Sequence, residues 1–179
     1  MVIGAGSVGL AIAAVLQAYG IKFDVIARHK TQQSAAVRLG ATLDVSDGYD
    51  LVLDAVGNEM SMQDALARVK PRGRVGLVGT FFEPTPVSSA ISVKEVDLIG
   101  ALFYRCSGTE RAFDEAARLL FENPHIGDVM ISHRFPLDAA EEAFDIARDR
   151  ASGALKCVLI FHRPRHNSRK AKNRARGFL

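Results

Sequence analysis

The chain has 179 residues, of which 48% are apolar and 24% charged, an ordinary composition for a globular protein with one sizeable core. No apolar run reaches the eighteen or so residues of a membrane span. Two cysteines, Cys106 and Cys157, cannot build a disulfide scaffold or a four-thiolate metal site. The net charge of +3 belongs to the C-terminus. Residues 163–179 carry seven basic side chains and no acid, whereas the rest holds 16 basic and 20 acidic residues. The charge therefore does not argue that the fold binds nucleic acid, and that tail, lacking interleaved aromatics, is expected to be disordered. No basic segment precedes an apolar run at the N-terminus, so no secretory signal is read and a reducing cytoplasm is the expected compartment.

In chain order, Val2–Ile3 predicts a short strand leading into Gly4, and Val8 to Tyr19 an apolar helix. A strand is expected from Phe23 to Ala27, a helix from Ser34 to Leu39, and a short strand from Thr42 to Val45. Asp50 to Ala55 reads as a strand entering a turn at Gly57-Asn58, and Met62 to Val69 as a helix. Pro71-Arg72-Gly73 reads as a turn, followed by strands at Arg74 to Val78 and Leu98 to Phe103. Strands with continuous apolar runs alternating with helices predict an α/β fold with a parallel sheet covered on both faces. Thr109 is placed to cap a helix running to Glu122, with Ala112, Phe113, Ala116, Leu119 and Leu120 on its inner face. Beyond Asn123-Pro124 come a short strand at Val129 to Ser132, a helix from Ala139 to Arg150, a turn at Ser152-Gly153 and a strand from Lys156 to Phe161.

Gly4-Ala5-Gly6-Ser7-Val8-Gly9 fits G-x-G-x-x-G between a strand and a helix, the context in which the motif signals dinucleotide binding. Gly4 permits the tight turn, Gly6 lets backbone approach a pyrophosphate, and Gly9 lets the helix pack close to the strand. The amides around Ser7 and Val8 then face the phosphates from the positive end of the helix. The next strand ends Ala27-Arg28-His29-Lys30 without the acid that would bind the 2′-hydroxyl of NAD. Arg28 with Lys30, and His29 beside them, suit a 2′-phosphate through guanidinium–phosphate pairing. NADP is therefore favoured over NAD, with a merely solvated basic loop as the alternative.

Among other reactive residues, His29, His125, His133, His162 and His166 form no spaced set with cysteines or acids, and none reads as a metal site. Cys106 and Cys157 read as inert thiols. Asp54 ends a strand, where it is placed to orient a loop. No catalytic residue and no metal ligand is assigned.

Several stretches together resemble one family, the zinc-type medium-chain dehydrogenases that include alcohol and polyol dehydrogenases. They are Val2 to Leu10, Leu39-Gly40-Ala41, Asp50 to Gly57, Lys70 to Gly79 and His133 to Leu137. The resemblance covers the cofactor-binding domain and C-terminal segment of that family. It implies a doubly wound, six-stranded Rossmann sheet, with the strand before Gly4 central and shortened. It implies a Rossmann domain at 1–127, a β-α-β segment at 128–162 that belongs to the catalytic domain, and the basic tail at 163–179. It places Ala27 where the family's ribose-binding acid stands. It also puts Val56 and Gly57 beside the adenosine half, Val78, Gly79, Thr80, Ala101, Leu102 and Phe103 near the nicotinamide, and Lys156 toward the pyrophosphate. The implied reaction is hydride transfer between NADP(H) or NAD(H) and an alcohol or carbonyl compound. The family's zinc ligands and most of its substrate pocket lie in an N-terminal domain that the resemblance does not cover. The chain alone is thus expected to lack catalysis; a non-catalytic dinucleotide-binding module and a non-functional remnant are the alternatives. The last Rossmann strand is a candidate homodimer edge by the same resemblance, and no membrane contact is implied.

Overall fold

A computed structural model describes residues 1–101, 106–107, 110–149 and 151–161 of the chain. Its elements are β1 (Val2–Ile3), α1 (Ser7–Ala18), β2 (Val25–Ile26), α2 (Lys30–Arg38), β3 (Tyr49–Asp54), α3 (Glu59–Arg68), β4 (Val69–Leu77), α4 (Ala90–Val93) and β5 (Asp97–Gly100). After these come β6 (Cys106–Ser107), β7 (Glu110–Arg111), α5 (Ala112–Glu122), α6 (His125–Met130), β8 (His133–Pro136), α7 (Ala140–Arg148) and β9 (Cys157–Ile160).

The main sheet is parallel and runs β2-β1-β3-β4-β5. Two-residue β1 lies between β2 and β3, with Val2 opposite Val25 and Leu53. Successive side chains of a strand point to opposite faces, and β1 serves both. Val2 joins Leu10, Ala13, Val25 and Leu39 in one core, whereas Ile3 joins Val52, Met62, Leu66 and Val75 in the other. α1 and α2 cover the first face and α3 the second, so the doubly wound α/β expectation holds.

The sheet has five strands where six were expected. The segment at Thr42 contributes only a single parallel bridge, Asp24 to Thr42. Side chains make up for the missing ladder: the Thr42 hydroxyl donates to the Asp24 carboxylate, and the Tyr49 hydroxyl donates to its other oxygen at 2.6 Å. The Ser46 amide in turn donates to the Tyr49 hydroxyl at 2.8 Å. This tether turns the chain back into β3 after one bridge, too early for a strand to form.

Four other expectations shift. The turn Pro71-Arg72-Gly73 is an irregularity inside β4 rather than a break before it: Tyr49 pairs with Val69, but Leu51 pairs with Arg74. Arg72 takes a left-handed φ of 59°, and its amide donates to Lys94 O at 2.7 Å, which ties the irregularity to the segment before β5. The expected strand at Val129 to Ser132 is displaced, because Pro124 starts a helix with its fixed φ. Val129 is therefore buried on α6, and the strand falls at His133–Pro136. α5 begins at Ala112 with Arg111 at its N-cap; Thr109, its expected cap, lies outside the described residues. The expected inner face of α5 is not buried among the described residues: Leu120 is 52% exposed. That helix lies along α1, joined by the Tyr19 hydroxyl donating to Glu115, rather than over the sheet.

The C-terminal β-α-β unit is present. β8 and β9 are parallel neighbours in register from His133–Cys157 to Pro136–Ile160, connected by α7. It is not isolated from the sheet domain, since Ile126 and Val129 of α6 are buried in the core beneath α1 and α2. The junction expected at 127/128 falls within α6.

Burial works to raise the Asp24 carboxyl, but the hydrogen bonds from Thr42 and Tyr49 outweigh it and hold it below its ordinary 3.8. A carboxyl with a depressed folded value contributes stability above its unfolded value and loses it as pH falls through the folded one. Tyr49→Phe should lower stability by about 1 kcal/mol in urea titration at neutral pH. That difference should shrink as the medium is acidified below the ordinary aspartate value; a pH-independent loss would rule out the Asp24 linkage.

Candidate functional site

The turn from β1 into α1 is built by three glycines with three different constraints. Gly4 has φ of 92°, a region open to glycine at little cost, and a Cβ there would lie 2.5 Å from Val56 Cγ2. A Cβ on Gly9 would lie 1.9 Å from the carbonyl oxygen of Gly4, so the helix can approach the strand only with hydrogen there. A Cβ on Gly6 would meet nothing within 4 Å; the space over that peptide is open. Gly6 is the N-cap of α1, in extended conformation and without a side-chain cap. The first-turn amides of a helix have no intrahelical acceptor and carry its positive end, and α1 has no acid in its first turn to compete with an anion. Ser7 and Val8 lie in this turn. The Ser7 hydroxyl is turned away and donates to Leu155 O at 3.0 Å.

The facing wall is organised by Asp54, whose side chain is fully buried. One carboxylate oxygen accepts from the amides of Val56 at 2.8 Å and Gly57 at 3.2 Å. The other accepts from the Ser61 hydroxyl at 2.8 Å. Ser61 and Asn58 form a reciprocal capping box at the start of α3, at 2.9 and 3.0 Å. The main-chain oxygen of Asp54 accepts from Val78 at 2.9 Å and Gly79 at 2.8 Å. Gly57 and Gly79 are in backbone contact: a Cβ on Gly57 would sit 2.7 Å from the carbonyl carbon of Gly79, and one on Gly79 2.5 Å from the Gly57 nitrogen.

Between these walls lies a cleft of about 340 Å³ lined by Gly4, Gly6, Arg28, His29, Val56, Met60 and neighbouring residues. The structure thus brings together Gly4, Gly6, Arg28 and Val56 of the expected site. Gly57 sits behind Val56 against Gly79 and Thr80. Ala27 packs against the core, its carbonyl accepting from Gln33 Nε2 at 2.9 Å. Arg28 reaches across to Met60, Nη2 to Sδ 3.6 Å.

Other expected residues lie elsewhere. Lys30 faces a separate open groove with Ser34, Arg38 and Asp128. Lys156 borders an apolar groove of about 300 Å³ between α1, α5 and α6, together with Ala11, Val15 and Leu120. Ala101 follows the edge strand β5, its amide donating to Leu77 O at 2.9 Å. Leu102 and Phe103 lie outside the described residues, as do His162, His166 and the tail. Gln32, Asn58, Met60, Ser61 and Asp64 also line the cleft and were not read from the sequence. The Asn58-x-x-Ser61 spacing was a legible capping signal, whereas Met60 and Asp64 become neighbours of Arg28 only through tertiary packing.

The open peptide at Gly6, the uncompensated helix end and the cation at Arg28 fit a phosphate-bearing dinucleotide. The described residues do not offer a zinc site: among them, no three His, Cys, Asp or Glu side chains group closely enough to hold a metal ion. Among those residues, no helix is long and apolar enough to cross a membrane.

Residues 7–122 match the family described as zinc-binding dehydrogenase. L-galactonate-5-dehydrogenase of Escherichia coli K12 is 27% identical over 180 residues, covering 90% of this chain and 51% of that protein. Among solved structures, the 2R,3R-butanediol dehydrogenase of Bacillus subtilis superposes with a TM-score of 0.76 at 21% identity, over 90% of this chain and 50% of its own. Two further structures of the same fold, each 23% identical, contain cofactor. An alcohol dehydrogenase of E. coli CFT073 holds NADH (TM-score 0.72, 89% of this chain, 51% of its own). A zinc-binding dehydrogenase of Sinorhizobium meliloti 1021 holds NADP (TM-score 0.70, 89% and 51%). At these identities the structural likenesses establish the fold alone. The chain spans about half the length of the relatives it matches.

The glycine geometry separates folding from ligand approach. Gly9→Ala should destabilise the protein by about 2–4 kcal/mol, because its Cβ overlaps backbone, whereas Gly6→Ala should change stability by less than about 1 kcal/mol. Thermal melts of the two variants check this; equal losses would refute the assignment of Gly6 to open space.

Proposed function

Because this chain belongs to the zinc-binding dehydrogenase family, we propose that it is the nicotinamide-dinucleotide-binding half of an alcohol- or polyol-type oxidoreductase, with NADP(H) preferred over NAD(H). The observation that carries the reading is the open peptide at Gly6, set at the uncapped start of α1 beside a cleft that contains Arg28. The occurrence of NADH and NADP in proteins of this fold supports the ligand class and leaves the choice between them to residues of this chain.

In this reading the amides of Ser7, Val8 and Gly9 bind the pyrophosphate from the positive end of α1. Arg28 leaves Met60 to pair with the 2′-phosphate, a charge-assisted contact that a 2′-hydroxyl cannot match. Val56 and Gly57 flank the adenosine side, and Val78, Gly79 and Thr80 the nicotinamide side. Ala101, Leu102 and Phe103 complete that side, and Lys156, next to the Leu155 carbonyl that accepts from Ser7 at the start of α1, approaches the pyrophosphate. The dinucleotide itself carries the hydride between its nicotinamide ring and an alcohol or carbonyl compound; the residues of this chain bind it, orient it and cover one face.

The organisation that follows is a dinucleotide-binding unit over 1–127, a β-α-β segment over 128–162 that would join the substrate-binding part of a longer enzyme, and a basic tail. The compartment proposed is the cytoplasm, and the β5 edge is the proposed contact for a homodimer. The alternative of a non-catalytic binding module keeps the same cleft and differs in whether any catalytic half completes it.

Titration followed by nicotinamide fluorescence should give saturable binding with NADPH tighter than NADH. Arg28→Ala should weaken NADPH about tenfold or more and leave NADH within about threefold. Tighter NADH binding by the wild type would overturn the NADP assignment. Saturation by neither nucleotide in a cooperatively melting protein would overturn dinucleotide binding. The chain by itself should not oxidise alcohols when supplied with cofactor; turnover free of contaminating enzyme would refute its assignment as a binding half.

A further inference from the structure

We propose that Asp54 is a positioning residue that couples the Val56–Gly57 turn at the cleft to the Val78–Gly79 segment packed behind it, so that binding at the turn orders the segment behind. The proposal rests on the dinucleotide reading above for the identity of the ligand, but not for the coupling itself.

Asp54 does not line the cleft, so it is not a ligand. It is instead the residue on which three segments converge. The amides of Val56 and Gly57 and the hydroxyl of Ser61 end on its carboxylate, and the amides of Val78 and Gly79 on its main-chain oxygen. A carboxylate with no solvent exposure is tolerated only when its lone pairs are filled, so these bonds form or fail together with the geometry of the turn. The turn cannot move alone. Gly57 and Gly79 touch so closely that neither has space for a methyl group, and Val56 bears on Gly4 from the other side. Displacing Val56–Gly57 therefore displaces Gly79–Thr80, and the Asp54 carboxylate is what holds Val56–Gly57 at that contact, so the coupling needs both the packed backbone and the side chain.

The network also predicts which substitutions preserve it. Ser61 Oγ has a second acceptor, the Asn58 carbonyl at 2.9 Å. With Asp54→Asn, the side-chain oxygen keeps the Val56 and Gly57 amides and the NH₂ donates to Ser61 Oγ, which turns its own proton to Asn58. With Asp54→Ala, two amides and a hydroxyl lose their acceptor.

The test is amide hydrogen exchange on the full chain with and without 2′,5′-ADP, which carries only the adenosine half of NADPH. In the wild type, saturating 2′,5′-ADP should slow exchange at Val78–Gly79, which it does not touch, by about threefold or more as well as at Val56–Gly57. Asp54→Asn should retain that remote protection. Asp54→Ala should lose it while keeping some at Val56–Gly57, and Ser61→Ala, which removes one bond of three, should fall between. Protection confined to Val56–Gly57 in the wild type would overturn the proposal, as would remote protection surviving in Asp54→Ala. If the wild type shows saturable binding neither of NADPH by fluorescence nor of 2′,5′-ADP by calorimetry, the dinucleotide reading fails, and the coupling is read from the free proteins. Exchange in Asp54→Ala should then rise at both segments together, with α1 and α2 unchanged. A rise at Val56–Gly57 alone, or across every helix, would overturn it.

Discussion

The buried carboxylate of Asp54 sets the geometry above the sheet. A charge without solvent must be matched by donors, and here the donors are the loops themselves: the turn after β3, the first turn of α3 and, through the main chain, the segment after β4. The cleft lies where those loops meet the glycine turn of β1. Its shape therefore follows from one residue at the end of β3 and from two places, Gly4 against Val56 and Gly57 against Gly79, where backbone packs too closely for a side chain.

The sheet that carries these loops depends on a very short element. β1 has two residues, yet it pairs with both β2 and β3 and lies between them in the sheet. It succeeds because both residues are buried and serve opposite faces: Val2 sits under α1 and Ile3 under α3. Backbone bonds from Met1, Val2 and Gly4 and to Ile3 lock it on both sides. The C-terminal segment is bound into the same body. α6 fills the core beneath α1 and α2, and the Ser7 hydroxyl at the start of α1 donates to Leu155. The glycine turn thus touches the β-α-β unit that follows, which places the two parts of the chain on either side of one helix terminus.

Much of this was legible because the local rules agree with one another. Gly4, Gly6 and Gly9 between an apolar strand and an apolar helix specified the turn and its orientation. Strands with continuous apolar runs separated by helices specified a parallel sheet covered on both faces, and the absence of an acid after β2 left Arg28 as the charge at that end of the cleft. The illegible parts are those in which side chains from distant segments compete with local preference. Thr42 to Val45 has the composition of a strand, but bonds from Thr42 and Tyr49 to Asp24 turn the chain after one bridge. Val129 has a strand's side chain, but a helix begun by Pro124 buries it in the core.

Sequence alone determined the α/β class, the strand–turn–helix at Gly4 to Gly9, and the chemistry offered at that turn. Periodicity, glycine placement and charge are local properties and survive any packing. Tertiary structure decided which side chains share the cleft. Lys30 follows Arg28 by two positions, yet the first turn of α2 carries it to another groove. Lys156 borders an apolar groove along α1, while Met60 and Asp64, 32 and 36 positions after Arg28, line the same cleft as Arg28. A helix turns each successive residue by about 100°, so neighbours in sequence diverge. Only the packing of α3 against the sheet, fixed through Asp54, brings distant residues onto one wall.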